Sequence, residues 1–262
     1  ATGTFGDIAL EAKWTPIEYT ITYEYDDTMG NLPDGVTLKT TYTIEDAFDF
    51  AILTCNTVGY NFAGWFTEKE LGTGEQVTGI SLGTTGNKVY YAQWGLEVYS
   101  ITYVNADGTV NTNPATYTIE SQTFTLSDIS KQGYKFEGWY SDAEFNTPAQ
   151  TTITTGSHGN LTFYAKWSLV SYTITYNLYG GSYSGEGNPE NYNIETNVKL
   201  IDPVLAGSFF AGWYTLSEGG VLTTEIPKGT TGNITLYARW ITFDSNGGSK
   251  IDYDLGYSED RI

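Results

Sequence analysis

The chain has 262 residues, of which 40% are hydrophobic and 16% aromatic. This fraction of apolar residues is higher than that of an intrinsically disordered protein. Its 12 basic and 31 acidic residues give a net charge of −19, and such a surface repels nucleic acid and anionic membranes because both carry negative charge. The single cysteine, Cys55, excludes an intrachain disulfide, and the sequence has no apolar run of about 18 residues that would insert into a membrane.

The first element in chain order is a strand pattern within residues 1–14. Residues 8–14 match two later segments, 161–167 and 234–240, in which apolar and polar side chains alternate. A period of two is typical of a strand that turns one face toward a core. Residues 1–14 are therefore predicted to hold the closing strand of a truncated repeat.

Three complete repeats are predicted next, at residues 15–94, 95–167 and 168–240. Each begins with the alternating pattern Tyr-x-Ile-x-Tyr, first seen at Tyr19, and continues to a second short strand, Tyr-x-Ile-Glu. Tyrosine, isoleucine and threonine favour strands. The segment after the second strand is less regular, and residues 46–53 are the best candidate for a short helix.

The motif Phe-x-Gly-Trp marks the middle of each repeat, and its tryptophans, Trp65, Trp139 and Trp213, are 74 residues apart in both intervals. A constant spacing of this size indicates a tandem array. The glycine inside this strand predicts a bulge or a close packing contact, since glycine otherwise weakens a strand. The aromatic residues predicted to form the structural core are Phe62, Trp65, Trp94, Phe136, Trp139, Trp167, Phe210, Trp213 and Trp240.

The connections between repeats have a constant length. Seven residues lead from each closing tryptophan to the next opening isoleucine, as from Trp94 to Ile101, and apolar residues such as Leu96 and Val98 lie between them. A connection of fixed length with apolar content predicts a defined joint and not a flexible linker.

The closing strands follow the turn Ile-x-x-Gly-x-x-Gly-Asn. Lys88 stands where the other repeats have an apolar residue, so the first closing strand is predicted to begin one residue later. Residues 241–262 look like the opening part of a further repeat, which places a partial repeat at both ends of the sequence. Two interpretations stay open. One is a fragment of a longer array, and the other is head-to-tail complementation between copies by strand addition.

The motifs Tyr-x-Ile-x-Tyr, Tyr-x-Ile-Glu, Phe-x-Gly-Trp and Leu-Tyr-Ala-x-Trp together resemble the Listeria–Bacteroides repeat of bacterial surface proteins. The resemblance covers about residues 17 to 240, with departures at Lys88 and Gln93. It implies a β-rich fold (α+β at most), built as an elongated array of small β-grasp-like repeats with about four strands each and at most one short helix. It also implies an extracellular protein attached to the cell surface or cell wall, and it brings no catalytic residues.

Residues able to support catalysis or bind a metal are few. His158 is the one histidine, so a Ser-His-Asp or Cys-His arrangement would depend on it, and Cys55 is interpreted as a small buried residue. The chain is therefore predicted not to be an enzyme and to need no cofactor. Calcium stays open, because the opening loops carry oxygen ligands, although none has an EF-hand spacing. These ligands are Asp26, Asp27, Asn105, Asp107, Asp244 and Asn246.

Two functions follow from these observations. The first is structural: an extracellular stalk, or a filament-forming region whose partners are neighbouring copies of itself. The second is an adhesive module that binds a glycan or a host protein. Tyr91, Tyr164 and Tyr237 lie at aligned, outward-facing positions of the closing strands, and with the acidic surface they form the predicted binding surface of this alternative.

Overall fold

The computed structural model describes residues 9–243 and 251–254, and it describes side chains for residues 9–242. Within these residues all regular structure is β-strand, which confirms the β-rich repeat class. The strands are, in chain order, β1 (Tyr19–Glu24), β2 (Gly30–Asn31), β3 (Thr41–Tyr42), β4 (Phe48–Asp49), β5 (Thr54–Cys55), β6 (Tyr60–Phe66), β7 (Gln76–Val77), β8 (Gly79–Ile80), β9 (Lys88–Leu96), β10 (Tyr99–Val104), β11 (Thr116–Tyr117), β12 (Phe124–Thr125), β13 (Tyr134–Tyr140), β14 (Thr152–Ile153), β15 (Leu161–Leu169), β16 (Tyr172–Asn177), β17 (Asn191–Tyr192), β18 (Val198–Lys199), β19 (Ser208–Tyr214), β20 (Leu222–Thr223), β21 (Glu225–Ile226), β22 (Ile234–Phe243) and β23 (Ile251–Asp254).

Contacts within the chain divide it into two compact units. Unit 1 comprises the described residues up to Thr102 together with residues 114–124 and 152–161. Unit 2 comprises residues 103–113, residues 125–151 and the described residues from 162 onward. Unit 1 thus holds the strands of the first repeat, unit 2 holds those of the third, and parts of the second repeat belong to each.

In unit 1 the first repeat forms a five-stranded sheet in the order β3-β1-β9-β6-β7. The opening strand β1 and the closing strand β9 are parallel neighbours, with Ile21 opposite Lys88 and Glu24 opposite Tyr91. Parallel neighbours need a long crossover, and residues 25–87 supply it. β6, which carries Phe-x-Gly-Trp, lies antiparallel on the other side of β9. The core of this repeat consists of Ile21, Tyr42, Phe50, Leu53, Trp65, Ile80 and Tyr90.

In unit 2 the third repeat forms the same arrangement, in the order β17-β16-β22-β19-β20, with β23 also paired to β22. β16 is parallel to β22, with Ile174 opposite Ile234 and Asn177 opposite Tyr237. β13 and β15 of the second repeat, also in unit 2, pair antiparallel as β6 and β9 do. The core of the third repeat consists of Ile174, Tyr192, Val198, Trp213, Ile226, Leu236, Ala238 and Trp240.

The glycine of Phe-x-Gly-Trp produces a bulge in all three repeats, as the sequence predicted. The pairing register shifts between Phe62 and Gly64, between Phe136 and Gly138, and between Phe210 and Gly212. The glycine φ angles are 133°, 122° and 129°, in the region that favours glycine. Because the bulge adds one residue to the strand, the phenylalanine and tryptophan reach the same face, and their rings pack edge to face.

The short helix predicted at residues 46–53 is wrong. Phe48 and Phe50 are separated by one residue and both pack in the core, which is the period of a strand. Phe48 lies opposite Ile80 in the small antiparallel pair of β4 and β8. A segment of this length gains little from helix formation, so the core contacts of its aromatic residues determine an extended conformation.

The closing strands also differ from the prediction at their ends. β9 begins at Lys88 itself, so the later start is wrong; the parallel pairing with β1 requires the backbone of Lys88 and not an apolar side chain. β9, β15 and β22 all continue past the closing tryptophan. The repeat boundaries predicted after residues 94, 167 and 240 therefore fall inside strands.

The N-terminal closing strand predicted for residues 1–14 is absent from its described part. Residues 9–18 contain no strand, and Leu10 and Trp14 are 91% and 87% exposed. A closing strand pairs with a Phe-x-Gly-Trp strand, and the sequence has none before this point. Residues 1–8 lie outside the described residues.

The C-terminal segment extends the third repeat over its described part. Residues 241–243 continue β22, and β23 runs antiparallel to them, with Trp240 opposite Asp254. The remainder of the opening segment predicted at 241–262 lies outside the described residues.

Candidate functional site

The joint between the first and second repeats is fixed by specific hydrogen bonds. The Glu97 N–H donates to the Gly59 carbonyl at 2.8 Å and holds the end of β9 against the start of β6. The Tyr60 hydroxyl donates to Glu120 Oε1 at 2.6 Å. Tyr60 belongs to the first repeat and Glu120 to the second, so this bond joins successive repeats.

Gly59 allows close packing at this joint. Its φ is +85°, and a Cβ atom here would lie 2.7 Å from the side chain of Ile119. A larger residue would push these two parts of the chain apart. The hydrogen bond to the Glu120 carboxylate raises the pKa of Tyr60, because a phenol that donates to a carboxylate is harder to ionise.

The same contacts recur between the second and third repeats. The Tyr134 hydroxyl donates to Glu195 Oε1 at 2.5 Å, and this bond raises the pKa of Tyr134. A Cβ atom on Gly133, whose φ is +78°, would lie 2.6 Å from Ile194. The Val170 N–H donates to the Gly133 carbonyl at 3.0 Å, as Glu97 does at the first joint. Recurrence at both joints indicates a contact encoded in the repeat itself.

Among the described residues, the remaining copies of these positions do not make the contact. Serine replaces the tyrosine at Ser208 of the third repeat. In the first repeat, Ile44 is 43% exposed, and the Glu45 carboxylate has no hydrogen-bond or ion-pair partner among the described residues. Ser208 and Glu45 therefore serve as internal controls for the joint.

Two side-chain bonds recur at the turn before each closing strand. The asparagine of Gly-x-x-Gly-Asn accepts a hydrogen bond from a backbone N–H of the opening strand. The donors and acceptors are Thr20 and Asn87 at 3.0 Å, Ser100 and Asn160 at 2.9 Å, and Thr173 and Asn233 at 3.0 Å. A tyrosine of the second strand donates to the turn glycine carbonyl, from Tyr42 to Gly86 at 2.5 Å, from Tyr117 to Gly159 at 2.6 Å and from Tyr192 to Gly232 at 2.5 Å. The sequence shows the recurring asparagine but not its partner.

The residue before each closing tryptophan organises the variable loop after Phe-x-Gly-Trp. Gln93 is buried, and its amide donates to three loop carbonyls, those of Glu68, Glu70 and Thr73. Lys166 and Arg239 occupy the same position and lie over the rings of Tyr140 and Tyr214, at 5.2 Å and 3.7 Å. In the sequence, Gln93 is visible only as a departure from the family pattern, which does not indicate this role.

The predicted core residues lie where the closing and central strands meet. Trp65, Trp139 and Trp213 are buried, and their indole N–H groups donate to the carbonyls of Ala51, Ser127 and Ile201. Phe62, Phe136 and Phe210 are half-buried and also pack edge to face on Trp94, Trp167 and Trp240. Trp240 is buried, whereas Trp94 and Trp167 are half-buried.

The three tyrosines of the predicted binding surface have different surroundings. Tyr91 lines a groove of about 460 Å³ beside β9, together with Glu24, Tyr25, Asp26, Lys69 and Trp94. Tyr237 is half-buried and stacks on Tyr179, with ring centroids 6.4 Å apart. Tyr164 is half-buried and lies opposite Tyr140. Of the three, Tyr91 is the one that lines this groove.

Trp94 differs from its counterparts in hydrogen bonding. The indole N–H of Trp167 donates to the Asn105 carbonyl, and that of Trp240 donates to the Leu178 carbonyl, both at 3.0 Å. The indole N–H of Trp94 has no such partner among the described residues. The first opening loop differs from the others, since it has no non-glycine residue at positive φ, whereas Asn105 has a φ of 61°.

The acidic side chains do not gather into a metal site in the described part of the chain, where no three histidine, cysteine, aspartate or glutamate residues come together. Asp26 accepts the N–H and the hydroxyl of Thr28 at 2.8 and 2.6 Å, and these bonds lower its pKa. Asp244 and Asn246 lie outside the described residues, so calcium stays a prediction. Nothing helical among the described residues has the length and hydropathy of a membrane span.

Comparison with known proteins gives three consecutive matches to one family model, the Listeria-Bacteroides repeat domain, at residues 19–93, 99–166 and 172–239. A protein of Evansella cellulosilytica, whose name describes a Gly-rich membrane protein, is 30% identical over 94% of this chain and 28% of its own length. Internalin H of Listeria monocytogenes is 29% identical over 44% of this chain and 21% of its own length. The chain spans less than a third of the length of the curated relatives it matches.

Proposed function

Because the chain belongs to the Listeria-Bacteroides repeat domain family, we propose that it is a non-catalytic structural region of a bacterial-type surface protein. The observation that carries this proposal is the pair of Tyr–Glu joints, Tyr60 with Glu120 and Tyr134 with Glu195. Repeats linked only to cover distance have no need of specific contacts at each connection. Contacts that recur at both joints suit a region whose task is mechanical support.

The relatives support the extracellular part of this proposal. One is an internalin and two have names that describe membrane proteins, and in each the matched part makes up less than a third of the relative's length. In the proposal, the repeats connect a part attached to the cell wall or cell surface with another part of the same protein.

Antibody labelling tests the location. Antibodies raised against the purified chain should label intact, unpermeabilised cells of the organism that produces it, and mild protease treatment of those cells should remove the label. An antibody to a cytoplasmic protein is the control for cell integrity. Labelling only after permeabilisation would contradict a surface location.

Head-to-tail assembly is a further element of the proposal. β23 pairs with β22 of its own chain, so the edge of β22 is already used within one molecule. A filament would therefore need β23 to move to β22 of a neighbouring copy, which is a strand exchange.

The groove beside β9 favours a second candidate function, the binding of a neutral pyranose ring of a glycan. Tyr91, Tyr25 and Trp94 offer aromatic rings, and Glu24 and Asp26 offer acceptors for sugar hydroxyls. The indole N–H of Trp94 adds a donor, whereas those of Trp167 and Trp240 already donate to backbone carbonyls. The volume of about 460 Å³ lies within the range of small-molecule sites.

Nuclear magnetic resonance tests this candidate on the full chain. Cellotetraose or chitotetraose at millimolar concentration should shift the indole N–H signal of Trp94, which is assigned by its loss in Trp94→Phe. The signals of Trp167 and Trp240 are the matched controls, because their N–H groups are already bonded. Unchanged Trp94 signals with both sugars would eliminate glycan binding at this groove.

A further inference from the structure

In the first and third repeats, the first and last strands form one parallel pair. In the first repeat, four residues of β1, from Ile21 to Glu24, lie opposite four residues of β9, from Lys88 to Tyr91. In the third repeat β16 and β22 pair in the same way, from Ile174 opposite Ile234 onward. The segments that connect one repeat to its neighbours thus leave from two adjacent strands of one sheet.

This topology determines how tension acts on a repeat. Tension along the chain enters the first repeat at the N-terminal end of β1 and leaves at the C-terminal end of β9. In a parallel pair these two ends lie at opposite ends of the pair. The hydrogen bonds between the strands are therefore loaded together in shear. They must rupture together, and not one after another from one end of the pair.

We propose that each repeat is a tension-bearing module, with the parallel pair of opening and closing strands as its mechanical clamp. Forced unfolding depends on the barrier to the first rupture, and shear raises that barrier because several backbone bonds must be lost at once. The activity proposed is resistance to pulling, which goes beyond a spacer function.

Side chains strengthen the clamp at the end where tension enters. Asn87 accepts the Thr20 N–H at 3.0 Å, one residue before the backbone pairing begins. Tyr42 binds the neighbouring Gly86 carbonyl and holds the same turn to β3, which itself pairs with β1. Equivalent bonds occur in the other two repeats, at Asn160 and Asn233. These bonds must also break before β1 can slide along β9.

The closing strand is held from its other side as well. β6 pairs with β9 over residues Tyr60 to Phe66, and the Glu97 N–H bond to Gly59 continues this pairing beyond the end of β9. β9 is thus a central strand with partners on both sides, so it cannot be removed by peeling an edge. We infer that rupture begins at the interface of β1 with β9.

Single-molecule pulling in two geometries tests the clamp. Both variants carry Cys55→Ser and Glu18→Cys in the full chain; one adds Val98→Cys and the other adds Thr85→Cys, and handles are attached to the two new thiols. Glu18, Thr85 and Val98 are exposed. Positions 18 and 98 load the pair in shear, whereas positions 18 and 85 open it from one end.

The 18–98 geometry should give a distinct high-force rupture that releases on the order of 270 Å of extended chain. That peak should be absent in the 18–85 geometry. Asn87→Ala should lower the peak in the shear geometry, and Asn56→Ala, an exposed asparagine whose side chain makes none of these bonds, should leave it unchanged. Equal rupture forces in the two geometries would overturn the proposal. This result does not depend on where the protein resides, so it is separable from failure of the surface labelling.

Discussion

At the scale of the residue, a tyrosine hydroxyl makes the contact between one repeat and the next. Tyr60 and Tyr134 each reach a glutamate of the next repeat, and Ser208 stands at the same position in the third. The glutamates recur in the sequence as Tyr-x-Ile-Glu, so their importance could be noticed. Their partners could not be predicted, because no spacing rule brings together residues 60 or 61 positions apart in an array.

The tyrosines of the opening strands make the free energy of unfolding depend on pH in the alkaline range. Burial raises the pKa of Tyr23 and of Tyr103 to about 12, and for Tyr23 the nearby Tyr90 adds to the effect. Each ring packs on the central tryptophan of its repeat, with centroids 4.9 Å apart. These groups stay protonated in the folded chain at pH values where the unfolded chain ionises, near 10.

The contribution of these tyrosines to the free energy of unfolding should therefore be constant below about pH 10. It should fall as the pH rises from there toward 12. Urea titrations followed by tryptophan fluorescence at pH 8, 9.5 and 10.5 measure the slope. Tyr23→Phe should reduce the slope, and Tyr179→Phe, at a position 59% exposed, is the control. An identical slope in the wild type and Tyr23→Phe would contradict the assignment.

At the scale of the element, alternation predicted the long strands and the glycine predicted the bulge. The prediction from alternation was wrong at residues 46–53. Phe48 and Phe50 follow the strand period there, but the segment is so short that it also suggested one helical turn. Alternation also failed at strand ends: the polar side chain of Lys88 predicted a later start of β9, yet a strand needs only backbone pairing at its first residue.

The parallel pairing of opening and closing strands was not predicted, although both strands were found. Alternation shows which face of a strand is apolar but not which strand is its neighbour. The Gly-Asn turn contained the missing information, since its asparagine binds the opening strand in every repeat. A polar side chain that recurs at a turn therefore indicates a long-range contact as well as a local one.

At the scale of the whole molecule, the tandem organisation followed from the 74-residue spacing of three tryptophans. That spacing does not determine how compact units form, and the second repeat contributes residues to both units. The sequence predicted a defined joint from the constant seven-residue connection, and the structure supplies its chemistry: a glycine at positive φ, an isoleucine against it and a Tyr–Glu bond.

The central claim is that these bonds couple successive repeats, and a double-mutant cycle on Tyr60 and Glu120 tests it most directly. Urea unfolding would be measured for the wild type, Tyr60→Phe, Glu120→Gln and the double variant. Glu45→Gln is the matched control, because Glu45 occupies the same position without a tyrosine partner. Glu45→Gln should change the free energy of unfolding by less than about 0.5 kcal/mol.

We expect a measurable favourable coupling free energy between Tyr60 and Glu120, with each single variant as unstable as the double. Additive effects of the two substitutions, with a coupling indistinguishable from zero, would contradict it.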